Sequence, residues 1–180
     1  MEGRFLQGPR TTHASTDRKE AFDEQRRQRE SIMTSFDNVI VIARPREEVF
    51  AFLADFENVP RWNPAIEATW KTSPSSVGVG TTYRQVRSTP KRSEESFEIT
   101  TYEPPRRLMI EGQIGPFRAQ VGYSLEVASE ATRLTNWVEL EPSSIISMVV
   151  VPLAASQIKA GVASNLEQLK RILEETRHII

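Results

Sequence analysis

Leu153–Thr176 reads LAASQIKAGVASNLEQLKRILEET, and this stretch decides how the rest of the chain must fold. Its large apolar residues recur at the spacing of one face of an α-helix. They are Ile158, Val162, Leu166, Leu169 and Leu173. A helix of this length runs about 36 Å at about 1.5 Å per residue, so its apolar stripe needs an extended surface such as a sheet. The stretch is predicted to belong to one long helix over Ser143–Glu175, in which any break would fall at Pro152.

Seven upstream segments have the alternating or β-branched pattern of strands and are bounded by turn residues. The predicted strands are Phe36–Ala43, Ile66–Lys71, Thr81–Arg87, Glu94–Tyr102, Arg107–Ile114, Phe117–Val127 and Thr132–Glu141. The short loops between successive strands favour antiparallel pairing.

One further helix is predicted between the first two strands. Pro45 suits a first helical position, and the apolar face would be Val49, Phe52, Leu53 and Phe56. Val59–Pro64, with two prolines, is predicted to be a stiff connector. The order of elements predicts an α+β fold in one domain.

Composition excludes several classes of function. Lys and Arg number 23 against 24 Asp and Glu in 180 residues, so nucleic acid is not an expected partner. The chain has no cysteine, and its only histidines are His13 and His178. Thiolate and histidine chemistry is therefore not expected, and no metal or cofactor is predicted. Absence of cysteine suits the cytoplasm, and Met1–Arg10 has no secretory signal.

Residues 1–33 differ in composition from the remainder and are predicted to be an N-terminal extension. Asp17–Glu30 is dense in both signs of charge, so it is interpreted as either a solvated helix or a disordered segment. Met33 suits a domain start, which makes the upstream segment either a tail or the product of a misassigned start codon. An adaptor that docks through Asp17–Glu30 is one function hypothesis, supported only by charge. Residues 34–180 are predicted to form the ligand-binding domain.

The order and motifs of the chain resemble the START-like, or helix-grip, superfamily (SRPBCC), in particular its polyketide cyclase/dehydrase-like branch. The resemblance covers about Ser35 to Glu175 and lies in motifs that keep the family's order. They are Ile42–Phe50 (IARPREEVF), Asp55–Pro64 (DFENVPRWNP), Val77–Thr81 (VGVGT), Tyr102–Leu108 (YEPPRRL) and Leu166–Glu174 (LEQLKRILE). It implies a seven-stranded antiparallel sheet curled round the C-terminal helix, with an apolar cavity between them. Family members bind lipids, sterols or polyketides, and some catalyse cyclisation or dehydration.

Strand alternation selects the side chains expected to face such a cavity. Trp70, Tyr83, Phe97, Phe117 and Tyr123 are predicted to share the inward face, with Gln85 in phase with Tyr83. The Tyr83 hydroxyl has two interpretations: contact with a ligand, or exposure to water at the edge of the core. Trp62 closes one end of the sheet, either as a packing plug for the first helix or as a ligand contact.

Asn136 is the most informative polar residue, because Leu134 and Val138 flank it at a spacing of two. We expect it to face inward; a one-residue bulge would instead turn Trp137 inward. Glu95 is in phase with Phe97 but lies close to the charged tip of its hairpin, so a solvated face is predicted in preference to a general base. An exposed basic hairpin is also predicted, formed by Arg84, Arg87, Lys91 and Arg92.

Ile145–Ala155 is the most apolar run of the chain and is too short to span a membrane. It has two interpretations: a well-covered helix start, or a hydrophobic lip that loads ligand with transient contact to a membrane surface. Met148 lies in this run and completes the predicted ligand-binding set. The residues favour a carrier of a small hydrophobic molecule, with a cyclase or dehydratase acting on a polyketide-like substrate as the alternative. No catalytic residue is assigned, and whether the protein is an enzyme is left open.

Overall fold

A computed structural model describes residues 33–114, 117–142 and 145–175, without the side chains of residues 114, 142 and 145–154. The predicted N-terminal extension lies almost wholly outside the described residues. Its boundary and its two interpretations therefore stay predictions.

The described chain contains one antiparallel sheet of seven strands in the order β1-β7-β6-β5-β4-β3-β2. The strands are β1 (Thr34–Ile42), β2 (Ile66–Lys71), β3 (Thr82–Arg87), β4 (Ser93–Glu103), β5 (Arg107–Ile114), β6 (Phe117–Ala128) and β7 (Ala131–Pro142). Every predicted strand is present, and its ends fall within two residues of the prediction. The first strand crosses to pair with the last, so β1 and β2 are the sheet edges.

Three α-helices accompany this sheet in the described part of the chain. Helix α1 (Arg46–Ala54) follows Pro45, and a 3-10 turn (Phe56–Asn58) leads into the one-turn helix α2 (Val59–Trp62). The predicted stiff connector is thus partly helical, because Pro60 lies in the first turn, where a missing N–H costs little. Helix α3 (Ile145–Glu175) is continuous past Pro152.

Helix α3 packs on one face of the sheet, called the inner face from here on; the opposite one is the outer face. Leu166, Leu169 and Leu173 are buried there, which confirms the predicted apolar stripe. The end of α3 is held by β1 and the residues that follow it. Arg44 Nε donates to the Leu173 carbonyl at 2.6 Å, where the helix dipole favours a cation. The C-terminal helix predicted to organise the domain therefore lies across the sheet, as the helix-grip architecture requires.

The predicted inward position of Trp70 is wrong. A register shift between Ile66 and Ala68 inserts one residue into β2, so Ile66 and Thr69 are the buried positions of this strand. Trp70 is 37% exposed. Because alternation has a period of two, a single inserted residue moves every later side chain to the other face. Trp70 is therefore not part of the candidate site.

Candidate functional site

The inner face carries two apolar clusters, one toward each end of β6 and β7. The larger contains Leu125, Leu134 and Leu169; the smaller contains Phe117, Ala119, Val138 and Leu140. Ile158 of α3 packs against the smaller cluster, so the helix faces both. Met148, which completes the predicted ligand-binding set, is among the residues whose side chains are not described.

A polar row, which we define as Asn38, Asn136 and Tyr123, lies where the two clusters meet, and Tyr123 also belongs to the larger cluster. These residues are direct cross-strand neighbours on β1, β7 and β6. Asn136 is 1% exposed, which confirms its predicted inward position. Trp137, its alternative, is half-buried on the outer face, where a Cβ on Gly122 would lie 2.1 Å from the indole. Because Gly122 has no side chain, the Trp137 indole fits on the outer face and Asn136 lies on the inner face.

The side-chain amide of Asn136 is only partly paired. Its Nδ2 donates to the Gly122 carbonyl at 3.1 Å, whereas its Oδ1 is buried and has no hydrogen-bond partner among the described residues. An unpaired buried polar atom costs about 1–3 kcal/mol. Such an atom, in an apolar surrounding, is typical of a position that a ligand or a water molecule completes.

The other two members of the row extend this polar surface toward both sides. Asn38 has a buried Nδ2 without a partner in the described part of the chain, a feature that sequence reasoning missed. Its phase, two residues from Phe36 and two from the buried Ile40, is the sequence signal that could have placed it inward. Tyr123 is 8% exposed, and burial raises its pKa well above the ordinary value. Its phenol therefore stays protonated and able to donate a hydrogen bond.

Tyr83 and Phe97 stack on the inner face with ring centroids 5.3 Å apart, as neighbours on β3 and β4. The Phe56 ring lies 5.0 Å from each. Tyr83 also lines a pocket of about 440 Å³ beside Asp55 and Glu57. Burial first, and then the negative charges of these two acids, raise the pKa of Tyr83. Which of its two interpretations holds stays a prediction, because no ligand contact tests it.

Glu95 contradicts the prediction of a solvated face: it is 5% exposed on the inner face. Arg87 Nε donates to Glu95 Oε1 at 2.7 Å, and Arg87 Nη2 donates to Oε2 at 3.1 Å. Gln85 Nε2 donates to Oε2 at 2.6 Å. Arg87 thus does not belong to the predicted exposed basic hairpin. Its phase, two residues from Gln85 and four from Tyr83, is the sequence signal that could have placed it inward.

The other predicted site residues with described side chains are buried. Gln85, Phe97, Phe117 and Tyr123 are buried on the inner face with Asn136. Trp62 is buried in the larger cluster, and its Nε1 has no partner within the described residues. That position fits the packing interpretation and leaves one indole donor unpaired. Whether any of these side chains contacts a ligand stays a prediction.

A second groove lies on the outer face and has different chemistry. It has a volume of about 660 Å³, and its lining includes Arg84, Glu98, Glu111 and Arg118. Arg118 pairs with Glu111, which raises the pKa of the Arg118 guanidinium. These charges are solvated and already paired in part, so the inner face is the better candidate for an apolar ligand.

The described residues contain neither a cluster of metal ligands nor a helix that could span a membrane. Across residues 33–114, 117–142 and 145–175, no three His, Cys, Asp or Glu side chains come together as metal ligands would. No helix in those ranges combines the length and the apolar character that a membrane span needs.

The family model described as polyketide cyclase/dehydrase and lipid transport matches residues 33–174. The chain belongs to this family. No protein of curated function matches its sequence. The individual proteins to which this polyketide cyclase/dehydrase family member is similar are found among solved structures.

Several solved structures share the fold at low sequence identity. The Zhui aromatase/cyclase from Streptomyces sp. R1128 has a TM-score of 0.69 at 11% identity, over 82% of this chain and 97% of its own. TTHA0849 from Thermus thermophilus has a TM-score of 0.66 at 19% identity, over 78% of this chain and 97% of its own. The di-domain ARO/CYC StfQ of the steffimycin biosynthetic pathway has a TM-score of 0.69 at 11% identity, over 95% of this chain and 62% of its own. At these identities the likeness establishes the helix-grip fold alone.

Proposed function

We propose that this protein binds a small hydrophobic molecule, such as a lipid or a polyketide, between the inner face of the sheet and α3. The observation that carries the proposal is the buried, unpaired Oδ1 of Asn136 between two apolar clusters. An interior meant only for packing would be more stable with an apolar residue there. A few polar atoms in a mostly apolar pocket are typical of sites that orient a small ligand.

Membership in the family supports the same class of ligand. Its description names polyketide cyclases, dehydrases and lipid transport, all of which handle largely apolar molecules. Among the structural neighbours, Zhui is named as an aromatase/cyclase and StfQ as a di-domain ARO/CYC. Lipid binding, a cytoplasmic location and transient contact with a membrane surface through residues 145–155 are parts of this proposal. The absence of cysteine supports the location, and the apolar composition of that run supports the contact.

Native mass spectrometry of freshly purified protein tests the proposal. We expect a stoichiometric adduct that denaturing conditions remove and that lipid or polyketide extraction recovers. Asn136→Leu is the informative variant, since it removes the unpaired oxygen and should lower adduct occupancy. Protein that carries no adduct, and that binds no apolar probe when one is added, would contradict the proposal.

A polyketide cyclase is a second candidate function, favoured by the Arg87–Glu95 pair on the inner face. In an intramolecular aldol condensation a carbon loses a proton, the resulting enolate attacks a carbonyl, and the alkoxide formed takes up a proton. Loss of this hydroxyl group together with a second proton from the carbon that lost the first then releases one water. Arg87 has five N–H donors, and its two bonds to Glu95 use two of them. A guanidinium held in this way would stabilise the negative charge of an enolate oxygen.

The two candidates predict different bound compounds. The double variant Arg87→Met/Glu95→Leu removes the charges while avoiding an unpaired buried one. If the protein is a cyclase, the variant should carry a compound heavier by one water than that carried by the wild type. If both proteins carry the same compound, the carrier function stands and the cyclase function does not.

A further inference from the structure

Asn38 and Asn136 have complementary unpaired atoms on neighbouring strands. They are direct cross-strand partners, a relationship that places Cβ atoms about 4.5–5.5 Å apart. Asn38 has an unpaired, buried N–H donor, and Asn136 has an unpaired, buried acceptor. These two groups do not satisfy each other within the sheet.

The orientation of the Asn136 amide is determined by its neighbour on β6. Nδ2 donates to the Gly122 carbonyl at 3.1 Å. Rotating the amide by half a turn would place Oδ1 against that carbonyl oxygen, and two acceptors repel. The free atom of Asn136 is therefore its oxygen, and the pair offers one acceptor beside one donor.

We propose that Asn38 and Asn136 together recognise a hydroxyl group on the bound hydrophobic molecule, an inference that rests on the function proposed above. A hydroxyl donates to Asn136 Oδ1 and accepts from Asn38 Nδ2, so it satisfies both atoms. A ketone satisfies Asn38 only, and a methyl group satisfies neither. A carboxylate would place its negative charge against Oδ1. The ligand class is thus an alcohol, a phenol or an enol.

The position of the pair also places the hydroxyl within the ligand. Leu134 and Val138 lie two residues to either side of Asn136, about 6–7 Å along the strand in each direction. They belong to the two separate apolar clusters. The recognised hydroxyl therefore lies between two apolar portions of the ligand rather than at one end.

A matched pair of probes tests this inference: 2-naphthol and 2-methylnaphthalene, which differ by a hydroxyl in place of a methyl group. Dissociation constants are measured by fluorescence titration. We expect wild-type protein to bind 2-naphthol at least about tenfold more tightly, or about 1.4 kcal/mol. Asn136→Leu and Asn38→Leu should each reduce this preference to below about threefold. Asn38→Leu keeps the test valid if Asn136→Leu folds poorly, because the Asn38 Nδ2 has no bond to lose.

The control is Thr135→Val, which removes a hydroxyl from the outer face of the same strand and should leave the preference unchanged. Equal binding of both probes by wild type, or a preference that survives both asparagine substitutions, overturns the hydroxyl inference and leaves hydrophobic binding intact. Failure of wild type to bind either probe overturns this inference, and the proposed function falls with it if the purified protein also carries no adduct.

Discussion

The guanidinium of Arg87 on β3 contacts both carboxylate oxygens of Glu95 on the neighbouring strand β4, at 2.7 and 3.1 Å. The Glu95 side chain is 3% exposed and that of Arg87 is 18% exposed. The Arg84–Glu94 pair, on the outer face of the same two strands, is 59% and 54% exposed. The sheet thus carries one buried and one solvated ion pair side by side, which makes them a matched comparison.

Arg87→Met should lower the free energy of unfolding by about 3–5 kcal/mol, because it leaves a buried carboxylate without its cation. Arg84→Met, the control, should cost at most about 1 kcal/mol. Chemical denaturation of both variants measures the difference. Adding Glu95→Leu to Arg87→Met should recover part of the loss. Equal effects of the two arginine substitutions would show that Glu95 is not buried as described.

Gly122→Ala should destabilise the protein by about 1–3 kcal/mol, because the new Cβ would overlap the Trp137 indole. The double variant Gly122→Ala/Trp137→Ala should cost less than the sum of the two single changes. Gly78→Ala is the control, since no atom lies within 4 Å of the Cβ it would add. Additive effects in this cycle would contradict the contact and, with it, the inward position of Asn136.

Alkaline pH should destabilise the protein partly through Tyr123. Its pKa is raised from 10.0 in the folded state by burial. As pH rises, the unfolded state therefore loses the phenol proton first. The contribution of Tyr123 to the free energy of unfolding is complete below pH about 10 and is lost as pH rises above it. Between pH 8 and pH 10.5, the free energy of unfolding should fall less in Tyr123→Phe than in wild type. An identical fall in both proteins would show that the phenol is solvated.

The alternation of side chains predicts much of this site from sequence. It places Asn136 correctly because apolar residues flank it within an unbroken strand. It places Trp70 wrongly, because no glycine or proline in β2 marks the inserted residue. Alternation alone would turn Glu95 inward with Phe97 and Arg87 inward with Gln85, but the usual exposure of charged side chains led to a surface assignment for both. The ion pair that makes this burial favourable joins two strands, so the pattern of either strand by itself does not show it.

Removal of residues 1–32 should change the melting temperature by less than about 5 °C, corresponding to about 1–2 kcal/mol. The sequence of this segment has little apolar area to bury, and the family match begins at residue 33. Differential scanning calorimetry of the full chain and the truncated chain checks this. A larger fall would show that the segment stabilises the domain.

Intermolecular NOEs between 2-naphthol and the methyl groups of the protein test hydrophobic binding between the sheet and α3 most directly. Leu134, Val138 and Leu140 carry methyls on the inner face, whereas Val39 and Val41 are exposed on the outer face. We predict NOEs to the first set and none to the second. NOEs confined to Val39 and Val41, or none at saturating probe, would contradict the account.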